Sequence, residues 1–215
     1  MTVIMAAAFR DGMVIAADTL LHDPSTMGHV MSSPKTMLVG GRVGIAQAGT
    51  FTGTASVWFE LEKIDPAIVT PRTVAEFILA HATKIHDIKI KKGEPSICRY
   101  LVAGYNPQGG QEIHCVEVDL GKSHCFAGEG QIAAVGTLSN ATGVATQAVR
   151  DSFKGSSNTF KVDEWVQRIV TAERAASPQA VGFPATLLLI RHQQVIQAQI
   201  EEGQAHNPLL EGMFA

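Results

Sequence analysis

The chain has 215 residues, of which 46% are hydrophobic and 17% charged, so it can bury a sizeable core and is not an intrinsically disordered protein. Its formal net charge of −3 gives no electrostatic reason to expect nucleic acid or an anionic membrane as a partner. Because no apolar run approaches the roughly 18 residues of a membrane span and residues 1–9 lack the basic region of a signal peptide, we expect one cytoplasmic domain over residues 1–215.

The chain is predicted to open with two β-hairpins. Residues 2–9 and 13–19 are apolar runs on either side of Arg10-Asp11-Gly12, and an Asp-Gly pair between such runs is typical of a hairpin turn. The apolar runs 36–39 and 43–48 flank Gly40-Gly41 and predict a second hairpin. Residues 22–34, which are rich in Asp, Pro, Ser, Gly and His, are predicted to form a loop between the two.

Two helices are predicted to follow. The first begins after a possible cap at Thr52 and ends at Asp65-Pro66. The second covers residues 73–91, where apolar side chains recur at spacings of three and four and mark one buried face. The residues of that face are Val74, Phe77, Ile78, His81, Ile85 and Ile88.

The rest of the chain repeats the sequence of strands and then helices. Strands are predicted over residues 99–105, 112–119 and 122–127, helices over 139–153 and 162–175, and strands over 185–190 and 194–200. The polar tail from Glu201 is expected to fray. Because the strands are too apolar to have a face in water, we predict two packed antiparallel sheets with helices on both outer faces, an α+β fold of αββα type.

Thr2 is the first candidate for chemistry. Removal of Met1 in front of a small threonine would leave a hydroxyl and a free α-amine on one residue. A hydroxyl needs a base to act as a nucleophile, and an N-terminal threonine supplies both groups. Threonine at position two is also common in proteins that make no use of it.

Asp18 and Lys35 are expected to lie beside Thr2. Asp18 ends a very apolar strand, and a buried carboxylate needs a partner. The first hairpin returns it to the start of the chain, and Lys35 enters the next strand in a position to pair with it. A protonated Lys35 would disfavour the ammonium form of the α-amine and leave more free base at neutral pH. Gly49 follows the strand 43–48 and would let a backbone N–H approach a developing oxyanion.

These residues resemble the motifs of the β-type proteasome subunits, which are N-terminal-nucleophile hydrolases. The similar segments are Thr2-Val3-Ile4, Asp11 to Thr19, Pro34-Lys35-Thr36-Met37-Leu38 and Val43 to Thr50. They cover about the first 55 residues, and beyond them Val135-Gly136-Thr137 is similar to the family's Gly-Ser segment that opens a helix. Among members of the family, the chain is most similar to the proteasome homologue of β-proteobacteria, which lacks a propeptide.

The resemblance implies an αββα sandwich that hydrolyses peptide bonds in the cytoplasm without a metal or organic cofactor. It implies that Thr2 is nucleophile and base, that Asp18 and Lys35 set its electrostatics, that the Gly49 amide binds the oxyanion and that Thr137 replaces a supporting serine. It also implies a homo-oligomer of stacked seven-membered rings that acts on peptides or unfolded proteins. An unfolding ATPase or cap partner is left unassigned, as is the cleavage specificity.

The chain departs from the family before a late strand. The family commonly has Arg-Asp-x-x-Ser-Gly-Gly there, whereas this chain has residues 176–182, Ala-Ser-Pro-Gln-Ala-Val-Gly, without the aspartate. Ser177 and Ser139 are the hydroxyls that could contribute instead. Two alternatives therefore stay open: an N-terminal-nucleophile amidase acting on small amides, and a structural ring subunit whose threonine is weakly active or idle.

The cysteines and histidines give no sign of a metal site. Cys98, Cys115 and Cys125 are odd in number and contain no Cys-x-x-Cys pair, which fits a reducing compartment and lacks the spacing of a zinc site. We expect all three to be core thiols. His81 and His86 are five residues apart and do not match the spacing of a helical metal pair.

Overall fold

The computed structural model describes residues 2–23, 28–49, 54–94, 96–152 and 159–213. The strands within these ranges are β1 Ile4–Phe9, β2 Gly12–Asp18, β3 Leu20–Asp23, β4 Gly28–Ser32, β5 Thr36–Val39, β6 Val43–Gly49, β7 Cys98–Tyr105, β8 Gln111–Glu117, β9 Lys122–Ala127, β10 Ile132–Val135, β11 Thr159–Lys161, β12 Ala185–Arg191, β13 Gln194–Ile200 and β14 Glu211–Met213. The helices are α1 Thr54–Leu61, α2 Pro71–Lys91, α3 Ala141–Ser152 and α4 Val162–Ala176.

Two five-stranded antiparallel sheets form the centre of the molecule. The first sheet has the strand order β10-β1-β2-β12-β13, and the second has the order β5-β6-β7-β8-β9. Helices α3 and α4 cover the outer face of the first sheet, and α1 and α2 cover the outer face of the second. The predicted α+β sandwich of αββα type is confirmed.

Strand β1 shows why the opening of the chain is so apolar. All six of its residues are buried, because successive side chains point to opposite faces and both faces are covered. Met5 and Ala7 pack in the cluster that contains α3 and α4. Ile4 and Ala6 pack between the two sheets.

Gly44 sets how closely the two sheets approach each other. It lies on β6, and a Cβ at this position would be 2.6 Å from the Ile15 side chain of the opposite sheet and 2.9 Å from that of Ile190. A side chain there would have to push the sheets apart, and an overpacked core is destabilised. Close sheet packing therefore depends on glycine at this position.

The predicted helices have somewhat different ends in the structure. Helix α2 begins at Pro71 because Thr70 caps it: the Thr70 hydroxyl accepts from the Thr73 amide at 3.1 Å, and the Thr73 hydroxyl accepts from the Thr70 amide at 2.9 Å. Proline suits the first helical position, where its missing N–H costs no bond. Helix α1 ends at Leu61, ahead of the predicted stop at Asp65-Pro66. Thr52, which was predicted to cap α1, lies outside the described residues. The same holds for Phe153, the predicted last residue of the helix over 139–153.

Several short strands were not predicted. Strands β3 and β4 form a hairpin within residues 20–32, where a loop was expected from residue 22. Strand β10 pairs with β1 across more than 120 residues of sequence, with Ile4 opposite Val135. A strand of four residues has too few positions to show a periodic pattern, so its partner decides its structure.

The tail after Glu201 does not fray, and that prediction was wrong. Strand β14 pairs with β11, with Phe160 opposite Gly212. The ring of His206 lies between two carboxylates, with Nδ1 2.7 Å from Asp163 Oδ1 and Nε2 2.9 Å from Glu211 Oε1. These contacts attach the tail to the start of α4.

His206 should make the stability of the protein depend on pH. Burial lowers the pKa of His206, but the hydrogen bonds to Glu211 and Asp163 outweigh it, so the pKa is raised above its ordinary value. The protonated ring donates to both carboxylates, and this stabilisation is complete below about pH 6.5. It is lost as the pH rises through the raised pKa of the folded state.

We therefore expect the difference in melting temperature between wild type and His206→Gln to be larger at pH 6 than at pH 8.5. Thermal unfolding of both proteins across this range measures it. Melting curves of the two proteins that shift in parallel over the whole range would contradict a protonated clamp at this position.

The cysteines differ in exposure. Cys98 is buried, Cys115 is partly buried and Cys125 is exposed, so the prediction that all three are core thiols is wrong for Cys125. It lies on β9, the edge strand of the second sheet, and every residue of β9 is exposed. None of the helices in the described ranges is long and apolar enough to cross a membrane.

Candidate active site

Thr2, Asp18 and Lys35 meet at one end of the sandwich. Asp18 is the last residue of β2, and its amide donates to the Val3 carbonyl at 3.2 Å. Its carboxylate in turn accepts from the Val3 amide at 3.0 Å and from the Leu20 amide at 3.1 Å. The hairpin of β1 and β2 thus places the aspartate next to the start of the chain, as the sequence predicted.

Lys35 joins this carboxylate to the threonine. Its Nζ donates to Thr2 Oγ1 at 2.7 Å, to both Asp18 oxygens at 3.1 Å and to the Leu20 carbonyl at 2.5 Å. An ammonium group has three N–H donors, and here a hydroxyl, a carboxylate and a carbonyl receive them. The geometry is that of a fully bonded lysine held against one hydroxyl oxygen.

All three side chains are withdrawn from water. Thr2 is 7% exposed, Lys35 4% and Asp18 0%. Burial lowers the pKa of Lys35, and the neighbouring Asp18 opposes this shift. Burial also raises the pKa of Asp18, against the charge and hydrogen bonds of Lys35. Since each group is the other's main charged partner, removing either leaves an isolated buried charge.

Gly49 lies at the same end of the second sheet as Lys35. The Gln47 amide donates to the Lys35 carbonyl at 3.0 Å, and Gly49 follows two residues later at the exposed end of β6. Its φ is +109°, in the region that favours glycine, and a Cβ there would overlap the carbonyl group of Ile97. The backbone at this position therefore requires glycine.

Gly49→Ala tests this requirement. We expect it to lower the free energy of unfolding by at least about 2 kcal/mol, because the backbone strain is added to the overlap with the Ile97 carbonyl. Gly41→Ala is the matched control. Gly41 also has a positive φ, +70°, but a Cβ added there would have no atom within 4 Å, so the substitution should lower the free energy of unfolding by about 1 kcal/mol. Urea unfolding measures both, and equal losses would contradict the account.

Thr137 follows β10, the strand that pairs with β1 in the first sheet. Val135, the last residue of β10, is opposite Ile4, the first residue of β1, so Thr137 and Thr2 each lie two residues beyond the same end of this strand pair. The hydroxyl of Thr137 is buried and has no hydrogen-bond partner among the described residues. The Thr137 hydroxyl is therefore a buried group at this end of the first sheet that could accept or donate a further hydrogen bond.

Glu173 is a buried acid that the sequence analysis missed. It is fully buried on α4, and its Oε2 accepts from the amides of Thr137 at 2.7 Å and Leu138 at 3.1 Å. Its other oxygen, Oε1, is buried without a partner in the described part of the chain. The aspartate that the family commonly has would lie in the segment of residues 176–182, a few residues after Glu173. In this chain Glu173, in the last turn of α4, brings a carboxylate to this end of the molecule instead.

A signal for Glu173 was present in the helical periodicity. Val166, Ile169 and Val170 form the apolar face of α4, and Glu173 continues their spacing of three and four. An ionisable residue on such a face must find a buried partner. Ser177, by contrast, ends α4 and its amide donates to the Glu173 carbonyl at 2.9 Å, while Ser139 is exposed.

Comparisons with known proteins give a match in structure only. No family model matches the chain, and the comparison with curated proteins gives no match. The solved structure of the Anbu (Gly-1) mutant from Hyphomicrobium sp. strain MC1 matches with a TM-score of 0.68 and 15% sequence identity, over 95% of this chain and 89% of that chain. The chain has a proteasome-like fold.

Within this proteasome-like fold, the cluster combines a hydroxyl with a cation beside it, two groups that nucleophilic catalysis can use. A hydroxyl oxygen is held by a cation, and the cation is held by a carboxylate. A cation beside an oxygen favours its deprotonated form. The arrangement can therefore stabilise an alkoxide on Thr2 once a base takes the hydroxyl proton.

Proposed function

We propose that this protein is a threonine peptidase of proteasome type that uses Thr2 after removal of Met1. The observation that carries the proposal is the buried contact of Thr2 Oγ1 with Lys35, which is itself paired with Asp18. A buried lysine directed at a single hydroxyl has a clear use in nucleophilic catalysis. The proteasome-like fold supports the same reading.

In the proposed reaction the α-amine of Thr2 takes the proton of Oγ1, and Oγ1 forms a bond to the carbonyl carbon of a peptide. Lys35 stabilises the developing charge on Oγ1, and the Gly49 amide donates to the oxyanion. The ammonium then gives its proton to the departing amine as the C–N bond breaks, which leaves an acyl ester on Thr2. A water molecule, deprotonated by the same amine, hydrolyses the ester and restores the hydroxyl.

Thr137 and Glu173 would hold the free amine. Both have a buried oxygen without a partner among the described residues, and Thr137 and Thr2 each lie two residues beyond the same end of the β1–β10 pair. The N–H groups of a free α-amine can donate hydrogen bonds to these two oxygens. In this proposal Glu173 takes over the supporting role of the aspartate that the family has and this chain lacks.

We also propose that the protein assembles into stacked homo-oligomeric rings. Large apolar side chains are exposed along α1, α2 and the segments beside them: Phe59, Ile68, Ile88, Ile90 and Ile97, each at least 54% exposed. Large apolar side chains left exposed on a single chain are a feature of surfaces that other protein chains cover. Light scattering coupled to gel filtration should give a mass that is a large multiple of the 22.9 kDa chain.

Intact mass, N-terminal sequencing and a covalent probe for N-terminal threonines test the function together. The proposal expects loss of Met1 and one probe molecule on Thr2. A retained Met1 would contradict the mechanism, because the amine would be blocked. A free Thr2 that neither reacts nor hydrolyses peptides would favour the idle ring subunit, and cleavage confined to small amides would favour the amidase.

A further inference from the structure

The edge of the second sheet brings a glutamate, a histidine and a cysteine together. Glu112 and His114 are two residues apart on β8, so both side chains lie on the same face of the sheet. Cys125 is directly opposite His114 on β9. One oxygen of Glu112, one ring nitrogen of His114 and the sulfur of Cys125 all lie within 4.8 Å of one another.

Two of these three side chains are buried and held in place. Glu112 is 8% exposed and His114 5%, and Oε2 of the first is 3.1 Å from Nε2 of the second. Asn106 donates to the other carboxylate oxygen of Glu112 at 3.0 Å, which fixes the orientation of the carboxylate. Cys125 is exposed, so the cluster is open to solvent on the cysteine side.

We propose that Glu112, His114 and Cys125 form a binding site for Zn²⁺. Oxygen, imidazole nitrogen and thiolate sulfur are the ligands that zinc takes, at about 2.0–2.3 Å, and softer sulfur disfavours Mg²⁺ and Ca²⁺. Tetrahedral coordination at these lengths separates two ligand atoms by roughly 3.3–3.7 Å. The distance of 3.1 Å between the nitrogen and the oxygen is close to that separation.

Binding changes the protonation of the cluster in a defined way. The Cys125 thiol loses its proton to solvent, and neutral His114 coordinates through Nε2 with its proton on Nδ1. The hydrogen bond between His114 and Glu112 is replaced by one metal bond to each. Since the described residues supply three ligands, the fourth position is open on the side of Cys125 for water or a ligand from solution.

Arg72, at the start of α2, acts electrostatically on both Glu112 and Cys125. Its positive charge opposes a divalent cation, whereas the carboxylate and the thiolate attract one. Two negative ligands against one arginine leave the site suited to a cation. Bound zinc would link β9, the exposed edge strand, to β8.

Metal titration of the full-length, tag-free protein tests the site. After treatment with a chelator under reducing conditions, the protein should bind one Zn²⁺ per chain and melt at a higher temperature with zinc. Co²⁺ in place of Zn²⁺ should give a thiolate-to-cobalt charge-transfer band. Cys125→Ser should weaken zinc binding at least about 10-fold and remove both the band and the shift in melting temperature.

Cys115→Ser is the matched control, because Cys115 neighbours the cluster on β8 but packs between the two sheets. It should keep the band and the zinc affinity of wild type. Absence of stoichiometric binding, or a band that persists in Cys125→Ser, would overturn the proposal. His114→Gln adds a second check, and Cys125→Ser remains decisive should that buried substitution impair folding. The readouts do not involve Thr2, so they are independent of the proposed peptidase activity.

Discussion

Thr2→Ala should abolish peptide hydrolysis and labelling by the covalent probe. The variant lacks the only hydroxyl that Lys35 contacts in the described structure, so no acyl ester forms. We expect turnover to fall by at least about 10³-fold, as in other enzymes that lose their nucleophile. Hydrolysis of a fluorogenic peptide series measures the loss.

Two controls separate this loss from misfolding. Alanine keeps the small residue after Met1 but removes the buried hydroxyl that accepts from Lys35, so we expect the variant to stay folded with an unchanged oligomeric mass and to lose about 1–3 kcal/mol of unfolding free energy. Thr2→Ser keeps a hydroxyl and should retain measurable activity. Full hydrolysis by Thr2→Ala would disprove the role of Thr2, and the zinc site could still be present.

Lys35→Met should lower both the free energy of unfolding and the rate of peptide hydrolysis. Methionine keeps much of the side-chain volume but leaves Asp18, which is 0% exposed, without its cation. Breaking a buried ion pair in this way costs about 3–5 kcal/mol of unfolding free energy. Activity should fall by at least about 10²-fold, because the charge that stabilises Oγ1 is lost. Urea unfolding and peptide hydrolysis measure the two effects.

The stability lost in Lys35→Met should depend on pH. Burial raises the pKa of Asp18, and without Lys35 nothing of comparable charge opposes that shift. The folded variant then holds a proton that the unfolded chain releases above about pH 4, so its stability decreases as the pH rises. The difference from wild type should be smaller at pH 5 than at pH 8.

Adding Asp18→Asn to Lys35→Met separates structure from chemistry. The double variant has no isolated buried charge and should recover part of the lost stability, while hydrolysis stays low because no cation contacts Thr2. Recovery of activity along with stability would show that the pair is structural only. A double-mutant cycle of this kind isolates the coupling of the two residues.

The sequence by itself determined the long strands, the helices and the architecture. Runs such as residues 2–9 and 43–48 are apolar throughout, because both faces of their sheets are covered, and this pattern can be read without a structure. The hairpin predicted about Arg10–Gly12 also placed Asp18 beside Thr2, because the turn of a hairpin fixes its register. The structure shortens that turn to two residues, since Phe9 pairs with Gly12. The proteasome-like fold agrees with the family resemblance of the first 55 residues, whereas the catalytic roles of those residues stay predictions.

Only the tertiary structure decided the features that depend on contacts distant in sequence. Strands β10 and β14 have four and three residues, which is too few to carry a periodic signal, and each is formed by its partner strand. Glu173 reaches the Thr137 amide across 36 residues, and Cys125 meets His114 because β8 and β9 are in register. No spacing rule for cysteines or acids covers such pairs, because it is the pairing of strands and the packing of α4 that bring them together.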